Sequence, residues 1–515
     1  MSFILGIDLG TSSVKAILVS EGGEITANSS QGYPIHSPHP GWAEQDPEEW
    51  WEYTIKAVGK AVHQSHIKPS QIKAVGLSGQ THGTVLVGKS LLPLRKAIIW
   101  MDQRSIAQTR RLQQRIGKRL SRITGLPIAT GFMAPSLLWI RENEPAIWKK
   151  IHQFLLPKDY IRLKLTGNLA SDVTDAGGTL LLDTGKRKWS SEILQKLEIP
   201  ASFAPPLYES CQVTGKITKN AAKEISLKEG TSVSAGGADQ IMGAVGNGIV
   251  EPGRVACSIG TGGLVVASMD RPQLAPEVGL HTIPHAIPGK WILMGAILSG
   301  GSCLNWFYKQ VILGREKTFK RENSYQSLFR EVSPSPAASK GLIFLPYLKG
   351  ERTPYLDPQA RGAFVGLSLQ HGRKDLTRAI MEGVIFALRQ SLEKFKGLGI
   401  EITSVTTWGG GARNKIWRQI QADIFNLPIL ISPTQEGSAY GAAITAAVSI
   451  GIYPTIKEAC REWIKIKGEV LPVPENVEVY KKAYLIYRGL YSKLKDDFHA
   501  LSELAECTLH FPRGS

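Results

Sequence analysis

The sequence predicts an α/β protein of two or more domains, and three observations carry that reading. At 515 residues the chain exceeds what one compact core holds, so it divides. Apolar strand-length runs alternate with amphipathic helical stretches in both halves, the pattern of helices laid on sheets. A strand, Gly-Thr loop, strand unit near the N-terminus also returns in the second half. Gly10-Thr11-Ser12-Ser13 falls on Gly260-Thr261-Gly262-Gly263, an offset of 260 − 10 = 250 residues. A domain-sized offset with matching flanking strands reads as a duplicated domain.

Taken in order, "FILGIDLGTSSVKAILVSEGGEITANSSQG" reads as three strands joined by a Gly-Thr turn and an "EGG" hairpin. "DPEEWWEYTIKAVGKAVHQS" predicts a helix with Asp46 as N-cap and Pro47 at its first position. Trp50, Ile55, Val58 and Val62 fall at helical spacing. "IKAVGLSGQTHG" is a buried strand running into a polar, glycine-flanked loop, and "SVSAGGADQIMGAVG" is a strand followed by a helix start at Asp239. "GRVACSIGTGGLVVASMD" restarts the β-rich plan. "DLTRAIMEGVIFALRQSLEKFKGLG" is an amphipathic helix with a glycine stop. "EITSVTTWGGGARNKIWRQIQADIFN" is strand, triple-Gly turn, helix, and "PILISPTQEGSAYGAAITAAVSIG" is strand, loop, small-residue helix. The boundary falls near Asn247–Pro252, giving domains 1–248 and 249–495 and a tail 496–515 whose "PRGS" has the look of an expression-tag remnant.

Composition narrows the class. With 43% hydrophobic and 20% charged residues the chain reads as a globular protein. Sixty-one Lys and Arg against 44 Asp and Glu leave a net charge of +17, spread along the chain without a basic block. That is a solvated surface favourable to anionic substrates such as ATP, not a nucleic-acid footprint. Cys211, Cys257, Cys303, Cys460 and Cys507 are far apart with no metal-type spacing, which fits a reduced, cytoplasmic protein. "MSFILGIDLG" lacks a charged n-region and a long apolar core, and no apolar run is long enough for a membrane span.

Four loops carry candidate chemistry. In "GIDLGTSS" a strand delivers Asp8 to its end. Gly10 permits a sharp turn, and Thr11, Ser12 and Ser13 offer N–H groups and hydroxyls to phosphate, with Asp8 placed to hold a hydrated Mg²⁺. The alternative is an ordinary β-hairpin; the second loop, Gly260-Thr261-Gly262, favours a nucleotide clamp. "GGGAR", Gly409 to Arg413, is a strand–glycine–helix junction suited to close ligand approach. Asp239, among glycines and apolar residues, suits a general base in phosphoryl transfer or a helix cap, and the direction of its pKa stays open. "SGQTHG" sets Gln80, Thr81 and His82 where they can bond a polyhydroxyl ligand. "WMDQR" adds Trp100 and Asp102, and "FLPYLKGERTP" ends in a charged loop able to join the cleft.

With these residues in view, the chain resembles the FGGY carbohydrate kinases. The resemblance rests on "GIDLGTSSVKAIL", "HPGWAEQDPEEWW", "GLSGQTHG", "LLPKDYIRLKLTG", "SDVTDAGGT", "GGADQIMGAVG", "SIGTGG", "FLPYLKGERTP" and "WGGGAR", in family order from Phe3 to Lys495. It implies two actin-like, ribonuclease H-like ATPase domains around a central cleft. It also implies MgATP-dependent phosphorylation of a sugar hydroxyl, D-xylulose giving D-xylulose 5-phosphate. By the resemblance the base falls on Asp239, with Asp8 as catalytic partner, and both are metal candidates. The nucleotide falls on Gly10, Thr11, Ser12, Ser13, Lys15, Gly260, Thr261, Gly262 and on Gly409, Gly410, Gly411, Ala412, Arg413 and Asn414. The sugar falls on Thr81, His82, Trp100, Asp102, Asp239 and Gln240.

Two departures sit at the sugar. The branch of the family that takes D-xylulose usually has methionine where Thr81 stands and asparagine where Gln240 stands. They leave phosphoryl transfer untouched and keep ribulose, xylitol or another pentulose or polyol as alternatives. A non-catalytic actin-like ATPase or sugar sensor is the rival from another class, and it gives Asp239 no task. The expected partners are a small-molecule sugar and MgATP, with no nucleic acid and no membrane; a homodimer is left open.

Overall fold

In the computed structural model of the chain, residues 2–313, 329–330, 332 and 334–509 are described. The first sheet begins with the predicted hairpin, β1 (Phe3–Leu9) and β2 (Ser13–Ser20), continued by β3 (Ile25–Gly32). The helix α1 (Pro47–Ser65) follows, with Asp46 accepting from the Glu48 N–H as N-cap and Pro47 in the first turn. Its buried face comprises Trp50, Trp51, Thr54, Ala57, Val58, Ala61 and Val62, so Ile55 of the expected stripe lies at its margin. Next come β4 (Ile72–Gly79), α2 (Pro157–Thr166), β5 (Val213–Lys216), β6 (Ser232–Ser234), β7 (Gly237–Ala238) and α3 (Asp239–Gly246). The sheet order is β5-β6-β4-β1-β2-β3, with β7 also on β4.

The second sheet repeats the opening. It holds β8 (Gly253–Ile259), β9 (Gly263–Met269), β10 (Leu280–Pro284) and β11 (Trp291–Ile297). After α4 (Arg373–Gly397) come β12 (Ile402–Trp408), α5 (Lys415–Phe425), β13 (Ile429–Ile431), α6 (Gly437–Ser449), α7 (Ile456–Trp463), β14 (Glu469–Val470) and α8 (Pro474–Leu509). Its order is β10-β11-β9-β8-β12-β13-β14. As β1 pairs antiparallel with β2 and parallel with β4, so β8 pairs antiparallel with β9 and parallel with β12. The copies differ at their turns: Leu9 pairs with Val14, but Ile259 pairs with Gly263, one residue tighter. At the offset of 250, Asp8 corresponds to Ser258, so only the first copy carries a carboxylate there.

Alternation along the strands divides the core into layers. Leu5, Ile7 and Leu18 face α1, while Ile4, Ile17 and Val19 face a central layer built on α3 and α6. Ala256, Val266, Ile292 and Met294 of the second sheet reach the same central layer; Val255, Cys257 and Val265 face the side of α4, α5 and α8. The helix α6, expected within the second domain, packs its small residues on α3 and on the first sheet. Glycine permits this. A Cβ on Gly6 would lie 2.1 Å from the Ala439 carbonyl oxygen, and one on Gly76 would lie 1.9 Å from that of Ala442. The helix α8 runs unbroken across 495–496 with Tyr491 and Phe498 buried, so the expected tail begins inside it; residues 510–515 lie outside the described ones. Cys211, Cys257, Cys303 and Cys460 are free. Among the described residues no helix is long and apolar enough to cross a membrane.

Candidate active site

The strand ends of the first sheet assemble one side of the site. Ser78 pairs with Asp8 on one flank and with Gly237 on the other. Asp8 and Gly237 are therefore two strands apart, about 10 Å by ordinary sheet spacing, and Asp239 follows at the first residue of α3. The Ser78 hydroxyl donates to Asp8 Oδ1 at 2.8 Å. Burial raises the Asp8 carboxyl; the Ser78 bond and Lys15 pull it back, and Glu436 adds to the rise. Lys15 itself pairs with Glu436 at 2.9 Å, which ties the phosphate hairpin to the loop before α6.

Asp239 does not cap α3. Among the described residues its Oδ1 accepts from the N–H of the next residue, Gln240, at 2.7 Å, and its backbone oxygen accepts from the Ser438 hydroxyl at 2.9 Å. Burial and the neighbouring Asp8 push its carboxyl up to about 7, against the Gln240 bond. Desolvation thus outweighs the helix terminus, settling the direction that residue order left open. Tyr33 lies close enough to Asp8 and Asp239 that, after burial, both carboxylates raise its phenol, and its O–H donates to the Gly10 oxygen. Nothing in its sequence surroundings marks Tyr33.

The hairpin Gly10–Ser13 closes through Gly10 N–H to Ser13 O at 3.0 Å. The Thr11 hydroxyl accepts from Trp100 Nε1 at 2.9 Å, and its carbonyl accepts from the Gln45 amide at 2.7 Å. Gln80 donates to Gln45 in turn at 2.7 Å, so the sugar loop and the phosphate loop share one network. His82 has φ +70°, and its Nδ1 lies 2.5 Å from the Gly178 carbonyl, an acceptor, so the ring donates there. Burial lowers the His82 pKa to about 4, the Gly178 bond opposes that, and Arg352 adds to it. Neutral with Nδ1–H engaged, His82 offers Nε2 as an acceptor. Thr81 is buried beside it, and Gln240 Oε1 is buried without a hydrogen-bond partner among the described residues.

Asp102, expected near the sugar, is engaged within its own loop. It is 1% exposed, and both oxygens are taken by the Arg104 guanidinium and by the Ala43 and Arg104 N–H groups at 2.7–3.0 Å. It braces the loop that presents Trp100, which is 38% exposed.

The second sheet supplies the opposite side. Gly260 N–H bonds Gly262 O at 3.0 Å. Gly300, Gly301 and Ser302 donate to Thr261 and Gly260 carbonyls at 2.7–3.1 Å, leaving the Thr261 side chain exposed. Gly409, φ +84°, follows β12, the strand beside β8, and a Cβ on Gly411 would strike Ile259 at 2.7 Å. Both glycine loops therefore open at the ends of adjacent parallel strands. Asn414 uses its Oδ1 to cap α5 at Trp417 N–H, 2.9 Å, while Gly409 and Gly410 accept from Ala412 and Arg413 N–H groups.

Two residues missed by motif reading belong here. His281 is 1% exposed with no hydrogen-bond partner on either ring nitrogen among the described residues. Burial, then Arg352 and His82, hold its pKa far down. The Phe132 ring lies tilted against both, its centroid 4.1 Å from that of His82 and 6.3 Å from that of His281. The only sequence hint was the charged "GERTP" loop, which carries Arg352. Among the described residues no group of three or more His, Cys, Asp or Glu gathers as a metal site.

Each sheet thus ends in a glycine hairpin sized for phosphate, and the first also carries a buried carboxylate and a polar loop, the parts a sugar kinase needs; comparison with known proteins agrees. The N-terminal domain of the FGGY family of carbohydrate kinases matches residues 3–246, and its C-terminal domain matches 255–450. The chain belongs to the FGGY family of carbohydrate kinases. It is 38% identical to the xylulose kinase of Bacillus subtilis (strain 168) over 496 residues, 96% of this chain and 98% of that one. It is also 38% identical to the xylulose kinase of Escherichia coli (strain K12), over 95% of this chain and 99% of that one. A xyloylose kinase structure from Brucella ovis superposes with TM-score 0.88 at 37% identity, covering 96% of this chain and 99% of that chain. The ligand-bound xylulose kinase of Lactobacillus acidophilus gives 0.90 at 26%, covering 97% and 100%. The two sheets are the paired actin-like domains of this family.

Proposed function

We propose that this kinase transfers the γ-phosphate of ATP to a hydroxyl of D-xylulose, giving D-xylulose 5-phosphate, with Asp239 as general base. The observation that carries the reading is Asp239 itself: a carboxylate held near pKa 7, beside Asp8 and the first phosphate hairpin. The attacking hydroxyl gives its proton to Asp239 as its oxygen forms the new bond to γ-phosphorus; the bond to ADP breaks and ADP leaves. Thr81, the Nε2 of His82 and the free Gln240 Oε1 read the sugar hydroxyls. Gly10 to Ser13, Lys15 and Gly260 to Gly262 hold the phosphates. The backbone of Gly409 to Arg413 holds the nucleoside, with Asn414 serving that loop through its cap.

Asp8 and Asp239 fit a Mg²⁺ that arrives with ATP. Both are raised carboxyls facing one cleft, and the repulsion Asp8 exerts on Asp239 is what a cation between them would relieve. Mg²⁺ supplies charge neutralisation at the phosphate oxygens. The division at 248/249, with α6 shared across it, belongs to the same proposal, as do a cytoplasmic setting and a homodimer.

Thr81 and Gln240 favour one second reading, a related pentulose or polyol as acceptor. ATP consumption against D-xylulose, ribulose and xylitol, run with Asp239→Asn, tests both. D-xylulose should lead, and Asp239→Asn should lose ~10²–10⁴-fold. Near-normal turnover in Asp239→Asn removes the base; a better acceptor than D-xylulose moves the enzyme to the second reading.

A further inference from the structure

Two motifs, "LLPKDY" and "SDVTDAGGT", enter the site above only through the Gly178 carbonyl, yet their charged residues meet next to the turn that carries Asp239. Lys158 and Arg162 of α2 and Asp159, Asp172 and Asp175 all have side chains 0% exposed. Lys158 Nζ lies 2.6 Å from Asp159, 2.5 Å from Asp172 and 3.3 Å from Asp175. Arg162 pairs with Asp159 at 2.7 Å. Burial pushes Asp175 far up against the pull of Lys158, with Asp172, Asp159 and Asp239 adding to the rise.

From this cluster two arms reach the turn that carries the base. The Asp172 Oδ1 accepts from the Thr174 N–H at 2.8 Å, the Asp175 N–H at 3.1 Å and the Thr174 hydroxyl at 2.5 Å. The Thr174 Oγ1 accepts in turn from the Ala238 N–H at 3.0 Å. On the other side, Arg162 donates to the Ala235 carbonyl. The two arms bracket Gly236-Gly237, and a Cβ on Gly237 would lie 2.6 Å from Thr174 Oγ1. The same segment supplies the Gly178 oxygen that fixes His82.

We propose that Thr174, clamped by Asp172 and Lys158, is a positioning residue that sets the Ala238–Asp239 backbone, and so the distance of the base from the sugar hydroxyl. This rests on Asp239 being the base. A cluster that served stability alone is poorly explained: buried ion pairs contribute little net, and apolar packing of similar volume often does as well. A hydroxyl that both accepts from Ala238 and donates to Asp172 fixes direction, which apolar packing does not. Misplacement of a reacting group by about 1 Å costs on the order of 10²-fold in rate.

The test uses the full chain. Thr174→Val keeps the shape and removes both bonds; Thr174→Ser keeps the hydroxyl. The expected result is that Thr174→Val lowers kcat for sugar phosphorylation ~10–10²-fold, with sugar and MgATP affinities held and Thr174→Ser near wild type. Unchanged kcat in Thr174→Val overturns the proposal. So does a loss that falls on KM and melting temperature together and is not rescued by serine. If Thr174→Val does not fold, Thr174→Ala, which adds no bulk, is read by the same split. Asp239→Asn separates the two readings: if it retains turnover the base assignment fails, whereas an inactive Asp239→Asn beside a fully active Thr174→Val sinks only the positioning role.

Discussion

Gly6, in the first strand, lies directly under Ala439, in a helix from the far end of the chain: a Cβ on Gly6 would sit 2.1 Å from the Ala439 carbonyl oxygen. The neighbouring contact is between Gly76 and Ala442, and two more pack α6 on α3. A Cβ on Gly246 would lie 2.0 Å from the Gly437 oxygen, and one on Gly441 1.9 Å from that of Met242. At these four points the layer between the two sheets packs backbone against backbone.

Gly6→Ala should be costly because the obstruction is a carbonyl, not a flexible side chain. Overpacking of this kind typically costs ~1–3 kcal/mol, and here the helix must lift. The melting temperature should fall by several degrees, while Gly59→Ala, whose Cβ would meet nothing within 4 Å, should not lower it. Equal melting of both variants would mean the helix yields freely.

The pKa of Asp239, raised to about 7, has two opposite readouts. As a base it must be ionised, so kcat/KM for the sugar should fall on the acid side of neutrality, with an inflection below about 7 because MgATP relieves the repulsion from Asp8. For stability the sign reverses. The folded carboxyl holds its proton to higher pH than the unfolded one, so stability falls as pH rises from about 4 through 7. Asp239→Asn should thus melt higher than wild type at pH 8 and level with it at pH 4. A flat kcat/KM profile down to pH 5 would contradict the assignment.

Arg352 should read the sugar, not the phosphates. Its charge acts on His82 and His281, while it is absent from the influences on Asp239 and Asp8. The neighbouring Thr353 pins its loop to the Gly279 carbonyl at 2.8 Å and to the Ala296 backbone at 3.0–3.1 Å. Arg352→Met should raise the sugar KM by about 10-fold or more, the scale of one charged hydrogen bond, and leave the MgATP KM in place. A change confined to MgATP would turn the guanidinium toward phosphate.

His285 should make the junction between the lobes acid-sensitive. Its Nε2–H donates to the Ile249 carbonyl at 2.8 Å and its Nδ1 accepts from the Ile287 N–H at 3.1 Å, so the buried ring is neutral. Burial lowers its pKa to about 4, and Arg187 and Lys290 add to that against the Ile249 bond. The unfolded chain takes up the proton first, so the contribution is whole above about 6.5 and is lost as pH falls toward 4. The stability gap between wild type and His285→Gln should narrow by roughly 1–3 kcal/mol over that window. A gap independent of pH would show the ring titrating normally.

The legible parts of the site are those whose signal is local. Asp8, Gly10 and Thr11 follow an apolar strand in a few residues, and Gly260 and Gly409 do the same, so strand ends and glycine loops could be read in place. Asp46 and Pro47 mark a helix start for the same reason. Tyr33 and His281 carry no such signal, and Arg352 is marked only by its charged loop: each takes its place when another segment is folded against it. A carboxylate beside a tryptophan on a polar loop looks available in the sequence, and only the fold shows Arg104 paired with Asp102.

The residue order alone determined the two α/β repeats and the paired glycine hairpins, because hydrophobic period and turn chemistry act over a few neighbours. Tertiary structure decided which sheet α6 covers, which way the Asp239 pKa moves and what stands behind Thr174. Those depend on close approach and on desolvation, and both arise only when residues such as Gly6 and Ala439, or Asp8 and Asp239, are brought together from distant parts of the chain.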